Sequence, residues 1–464
     1  MPSTAVADSP AAWLRLLASV ALMVLGGCGM YVVIVVLPTV QAEFGVARGE
    51  ASLPYTLTMV GFGIGSMLMG KITDRYGIMV AMFLGVVSLS VGFILAGMSG
   101  NLLQFALIHG LLIGMLGSSA TFAPLIADTS LWFDRRRGIA VAICAAGNYV
   151  GGTVWPPVVQ YFVESVGWRQ TYYGIGIFCF ITMLPLALRL RQRPPALGPA
   201  PKKADVEAAA GASLGASGAA GPSGLSGSSP SAGVATGGAI GSGASAAGAA
   251  AAAPAAAVHS SRPLGFSPGM LQVLLCIAGV ACCVAMSMPQ VHIVAYCYDL
   301  GYGAARGAQM LSLMLGFGIV SRLASGLICD RIGGLRTLLL GSVLQTIALV
   351  LFLPFDGLAS LYVVSALFGL FQGGIVPSYA IIVRELYSPR EAGTRVGAVL
   401  TATMLGMALG GWMSGAIFDL TGSYDAAFLN GIAWNLLNVG IVLLLMHRSG
   451  ILRFRRGRAG MATA

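Results

Sequence analysis

Twelve apolar runs, each close to the roughly 20 residues a helix needs to cross a bilayer, set the terms for anything this chain can fold into. They lie near residues 13–37, 53–72, 78–98, 101–127, 138–160 and 169–190, then 267–293, 303–327, 334–354, 358–383, 393–418 and 424–446. Inside lipid every backbone N–H and C=O must be satisfied within the protein, and a helix does this locally. The expected fold is therefore an all-α membrane protein with twelve transmembrane helices. Composition agrees: 57% of residues are apolar and only 9% charged, which excludes a soluble globular protein of this length.

Between the sixth and seventh runs, residues 194–262 are rich in Ala, Gly, Ser and Pro and almost free of charge after Glu207. Such a segment has too little apolar surface to bury, and it reads as a disordered linker. The expected division is a bundle over 1–193, the linker over 194–262, a second bundle over 263–447 and a basic tail over 448–464. The formal charge of +10 does not point to nucleic acid, because the 26 Lys and Arg residues follow the positive-inside rule. With both termini in the cytoplasm, only Arg48, Arg169 and Arg306 fall outside and Arg322 lies within the bilayer. The first run is long enough to span and no convincing cleavage site precedes it, so it reads as a retained helix. The eight cysteines sit in or beside the runs without metal-site spacing, and they read as free, buried thiols.

The halves repeat. Gly70-Lys71-Ile72-Thr73-Asp74-Arg75-Tyr76-Gly77 follows the second run, and Gly326 to Gly333, with Asp330 and Arg331, follows the eighth, 256 residues later. Both read G-x-x-x-D-R-x-G. Each joins two helices across a short turn: glycine allows tight backbone and close helix approach, aspartate caps a helix, and arginine pairs across an interface or meets headgroups.

Arg322 is the leading functional candidate. A charge near mid-span costs about 2.5–3.5 kcal/mol on insertion scales, so one that is kept faces a cavity or a partner. It lies roughly 12 Å along the helix from Asp330, too far to reach the surface comfortably. Gly318, Ser325 and Gly326 share its face and leave a gap into which the guanidinium can point. The plainer reading is an arginine paired with a carbonyl or snorkelling to the headgroups.

The repeated loop, the twelve spans and the central linker together resemble the major facilitator superfamily, over all of the chain except linker and tails. The resemblance implies two six-helix bundles around a cavity opened alternately to either side, with the loop residues Gly70, Asp74, Arg75, Gly326, Asp330 and Arg331 latching one arrangement. A narrower likeness runs from Trp132-Phe133-Asp134-Arg135-Arg136-Arg137-Gly138-Ile139-Ala140 to Ala146-Gly147-Asn148-Tyr149-Val150-Gly151, which is similar to the monocarboxylate transporter motif. Trp132 stands for the usual Tyr, Ile139 for Leu, Ala142 for Gly and Cys144 for Ala. Supporting pieces are Phe44-Gly45 with Arg48-Gly49-Glu50-Ala51-Ser52, His292 to Tyr296 with Asp299-Leu300-Gly301, and Gly415 to Asp419 with Thr421-Gly422-Ser423-Tyr424. Arg322 matches the span-8 arginine that, in this family and the neighbouring oxalate/formate exchangers, binds the substrate carboxylate. The chain departs from the pattern at Gly318, where animal monocarboxylate transporters have aspartate, and in lacking any lysine over 16–37 or any cation over 396–418. One cation suits cargo with one carboxylate.

Other candidates are weighed against plainer roles. Asn148 and Gln372 lie near mid-depth and suit either substrate or a helix-helix amide contact. His292 suits a coupled proton or an interfacial site. Tyr31, Tyr379, Trp155 and Tyr296 suit either a cavity wall or packing. Pro156-Pro157 are expected to loosen span 5. The run Arg135 to Arg137 is expected to contact inner-leaflet lipid. No paired carboxylates at depth, nucleotide loop or metal cluster is present, so neither an enzyme nor a cofactor is expected. The sequence thus points to a monomeric secondary transporter of a small monocarboxylate in a bacterial-type inner membrane, with a coupled proton. The rivals are an organic-anion exchanger, a carrier of aromatic or hydroxylated acids, and a membrane sensor signalling through the linker.

Overall fold

The computed structural model describes residues 8–192 and 263–449; the linker and most of the basic tail lie outside these residues. Twelve helices are long and apolar enough to cross a membrane: α1 Pro10–Phe44, α2 Arg48–Tyr76, α3 Ile78–Gly97, α4 Leu102–Trp132, α5 Arg137–Val166, α6 Trp168–Arg189, α7 Pro268–Asp299, α8 Ala304–Ile332, α9 Gly334–Leu351, α10 Leu358–Leu386, α11 Glu391–Thr421 and α12 Tyr424–Arg448. Six form each bundle. Twelve crossings bring α1 and α12 to one face of the membrane, called here the terminal face; the opposite one is the distal face.

Within each bundle the second and fourth helices bring their backbones into direct contact. A Cβ on Gly65 of α2 would overlap the Met115 carbonyl oxygen of α4, and one on Gly369 of α10 would overlap that of Met314 in α8. Without a hydrophobic drive between helices in lipid, this close backbone contact is what binds them. Both fourth helices are interrupted at the same depth. α4 turns π-helical over His109–Ser118 and breaks before Ala123, while α10 breaks at Gly373-Gly374.

The short turns after α2 and α8 hold the repeated motif. Gly77 and Gly333 adopt φ +87°, ψ 161° and φ +83°, ψ 164°, a region open in practice to glycine alone. Gly70 and Gly326, expected to allow close approach, instead face open space, since a Cβ on either would meet nothing within 4 Å.

Two contacts near proline and charged residues tie neighbouring helices together. α5 runs unbroken through Pro156-Pro157. Pro157 has no N–H for the Thr153 carbonyl four residues back, and the Ser312 hydroxyl of α8 donates to that carbonyl instead, a neighbouring-helix repair of the kind membrane helices use. Asp128 lies inside α4, not beyond it, and is buried against Arg15 of α1 (Nε–Oδ2 2.8 Å, Nη2–Oδ1 2.9 Å). Arg15 also donates to the Leu190 and Gln192 carbonyls at the end of α6. One bidentate pair thereby ties three helix ends at the terminal face.

Candidate functional site

A cavity of about 170 Å³ lies between the bundles. Its walls come from α1, α2, α4 and α5 of the first bundle and α7, α8, α10 and α11 of the second, the same four positions in each. Arg322 is on this wall. Its guanidinium carbon stands 4.7 Å from the centroid of the Tyr149 ring, an attractive arrangement of a cation over a π face. Nη1 donates a long bond, 3.5 Å, to the Ala145 carbonyl, and the buried Nε has no partner. Among the described residues Arg322 forms no ion pair. Among the described residues the five N–H groups of this planar fork thus have one weak acceptor.

Gly318 explains the geometry. A Cβ there would sit 2.5 Å from Tyr149 Cε1, so glycine is what lets the ring lie beneath the guanidinium. Asn148 and Tyr31 also line the cavity. Gln372 is set one layer back, fully buried, and its Oε1 accepts from Gln290 Nε2 at 3.0 Å; Gln290 is the amide on the wall. His292 does not reach the wall: it is buried between α7 and α11, where its Nε2 is 2.8 Å from the Gly411 carbonyl oxygen. Tyr379 is likewise elsewhere, inside the second bundle, donating to Asn438 Oδ1 at 2.8 Å. Trp155 and Tyr296 also sit off the wall, the first donating to the Val24 carbonyl and the second packed at a tilt against the Tyr424 ring. Sequence reasoning missed Tyr149 and Gln290. An uncharged polar residue in an apolar run was a usable signal for Gln290, whereas nothing separates Tyr149 from the other aromatic residues before the fold is known.

The family model of the Major Facilitator Superfamily matches residues 19–318 and 293–459. The chain belongs to that superfamily. Monocarboxylate transporter 13 of Rattus norvegicus is 25% identical over 407 residues, covering 86% of this chain and 79% of the rat protein. The MFS-type transporter pynF of Aspergillus niger is 21% identical, over 82% of this chain and 75% of its own. The crystal structure of a bacterial homologue of the human lysosomal transporter Spinster, inward-facing and occupied, superposes on 98% of this chain and 100% of its own with a TM-score of 0.65 and 13% identity; that likeness speaks to fold. Membership of the superfamily makes this a multi-pass membrane protein that moves a small solute by alternating access, with no catalytic chemistry required of it.

For such a transporter the state of each gate matters, and here the seal is one-sided. At the distal face Asp419 of α11 accepts from the backbone N–H groups of Arg48 and Gly49 at 2.8 and 2.6 Å, capping the start of α2 from the other bundle. The Arg48 side chain pairs with Asp299 of α7 at 3.0 Å, bonds the Tyr424 hydroxyl and lies 4.9 Å from the Phe418 ring centroid. A turn or two deeper, the Thr56 hydroxyl is shared between the Ser52 carbonyl of its own helix at 3.1 Å and the Ala408 carbonyl across the seam at 3.2 Å. The three supporting sequence pieces, after α1, α7 and α11, converge on this latch. On the terminal face Asp74, Arg75, Asp330 and Arg331 are all exposed, and among the described residues none of them forms an ion pair. The cavity opens on that side, where Met67 on its wall is 47% exposed.

Proposed function

We propose that this transporter carries small monocarboxylates across a bacterial-type inner membrane, with Arg322 gripping the carboxylate. The observation that carries the reading is a guanidinium on the cavity wall whose one bond among the described residues is the long one to Ala145, and which forms no ion pair there. A planar fork takes a carboxylate in two parallel hydrogen bonds, and a low-dielectric site strengthens them. The similarity to the rat monocarboxylate transporter supports the same class. Asn148, Tyr31 and Gln290 complete the polar end of the site; Gln372 holds Gln290, and Tyr379 stiffens the bundle behind it.

Proton symport is the coupling we favour. Among the described residues on the wall none is Asp or Glu, so a carboxylate arriving with one proton crosses without adding net charge. His292, whose buried Nδ1 has no partner, is the candidate to hold that proton between latch and cavity. With the termini placed in the cytoplasm by the distribution of Lys and Arg, the conformation is inward-facing, and the two Asp-Arg loops are the groups that would meet when it closes.

Uptake of labelled lactate, pyruvate or acetate into proteoliposomes, driven by a pH step, tests this directly. Wild type is expected to accumulate label, and Arg322→Ala to lose about 100-fold or more, the worth of a bidentate charged contact. Arg322→Lys, which keeps charge but not the fork, falls between. Full uptake by Arg322→Ala would remove the anchor from the scheme.

A further inference from the structure

The cavity is chemically lopsided. Two seams between the bundles bound it. Along the α5–α8 seam lie Arg322, Asn148 and Tyr149, with the Ser312 to Thr153 contact just beyond. Along the α2–α11 seam lie Met59, Phe62, Met67, Leu400, Met404 and Met407, and there a Cβ on Gly63 would rest 3.6 Å from Met404 Cβ. Three hydroxyls lie among them, those of Tyr55, Thr401 and Ser66, and Ser66 turns its own back to the Phe62 carbonyl of α2 at 2.8 Å. Six of the chain's 21 methionines face this one cavity.

A solute held by Arg322 must present the rest of its body to that second seam. Thioether side chains are unbranched, flexible and polarizable, so a methionine wall moulds to apolar shapes of differing outline and favours aromatic rings at the sulfur. It supplies no strong donor or acceptor for a hydroxyl. Resting on the carboxylate reading above, we infer that the cargo is amphipathic: a monocarboxylate with an aliphatic or aromatic tail of several carbons, in preference to short hydroxy or keto acids such as lactate and pyruvate. The α5–α8 seam reads the charge and the α2–α11 seam reads the tail.

The test is a set of dissociation constants by calorimetry on the purified full-length transporter, for acetate, butyrate, hexanoate and phenylacetate, and for the near-isosteric pair lactate and isobutyrate. Arg322→Ala is run in parallel to subtract partition into the micelle. Affinity is expected to rise about 4-fold per methylene from acetate to hexanoate. Isobutyrate is expected to bind about 10-fold tighter than lactate, because the hydroxyl that replaces its methyl costs more to bring out of water. Met404→Gln, close in size but polar, should flatten the chain-length gain, read as each acid's affinity relative to acetate in the same variant. A flat series, or lactate binding tighter than isobutyrate, overturns the inference while leaving the anchor standing, provided binding still depends on Arg322. If none of the acids binds, or all bind equally to Arg322→Ala, the anchor falls and the inference with it.

Discussion

A guanidinium lying over a tyrosine ring has its face covered and its edge free, and the edge is what a carboxylate needs. Gly318 makes that posture possible, so its substitution should act on binding at one remove. In Gly318→Ala the added methyl would meet Tyr149 Cε1 at 2.5 Å; the ring must shift, and overpacking of this kind costs about 1–3 kcal/mol. We expect carboxylate affinity to drop about 10-fold, with Tyr149→Leu in the same chain restoring room but not the stacked posture. Unchanged calorimetric affinity in Gly318→Ala would mean the ring has slack. Arg322 itself was legible in the sequence because a mid-span charge is rare. The reason for its neighbour was not: Gly318 reads as a place where backbones meet, and only the fold shows that a side chain from the other bundle fills the space. A second single-residue expectation concerns Gly77 and Gly333. Their φ of +87° and +83° leave either Gly→Ala variant strained by about 1–3 kcal/mol although the space around both is open. Thermal unfolding should show the loss, and an equal midpoint for Gly77→Ala would contradict the backbone assignment.

Helices were located by hydropathy and misjudged at their ends, for a physical reason. Hydropathy marks the stretch that lies in hydrocarbon, and helices here continue past it: α1 runs over 35 residues, roughly 52 Å at 1.5 Å per residue, against a core of about 30 Å. Asp128 lies in such an overhang, one residue past the fourth apolar run, and there it meets Arg15 of α1 in a buried pair that hydropathy does not register. The proline pair in α5 frees the Thr153 carbonyl, and what the sequence does not show is that Ser312 of α8 takes it up. Between elements, the latch on the distal face carries its own prediction. Asp419 caps α2 from across the bundle interface only while that face is shut, so Asp419→Ala should destabilise this conformation relative to the alternative. Charge-assisted bonds are worth about 1.5–3 kcal/mol each, enough to shift a two-state population by about 10-fold or more. Met67→Cys, on the wall at the open mouth, should then react about 10-fold more slowly with an impermeant maleimide applied at the terminal face. Labelling as fast as without the Asp419 change would show that the latch does not bias the equilibrium.

At the scale of the whole molecule the duplication was readable because two copies of an eight-residue motif stand 256 residues apart. The eight wall helices at matched positions in the two bundles are its structural counterpart. Which gate is shut was not readable. A transporter's sequence encodes both arrangements, and the meeting of the Asp-Arg loops proposed above, with Asp74 and Asp330 exposed here, belongs to the other one. Alternation requires the distal seam between α2 and α11 to part in every cycle, while binding from the open side does not. These demands separate in one experiment. Thr56 Oγ1 and the Ala408 carbonyl oxygen are 3.2 Å apart across that seam, so Thr56→Cys with Ala408→Cys is within reach of a short bifunctional thiol reagent. Cross-linking the pair should abolish uptake into proteoliposomes, leave equilibrium binding of the carboxylate unchanged within about 2-fold, and be reversed when a cleavable linker is reduced; the two seams then act as gate and grip in turn. Continued uptake by fully cross-linked protein would place the moving boundary elsewhere, and loss of binding along with uptake would mean that the grip itself depends on the distal seam opening.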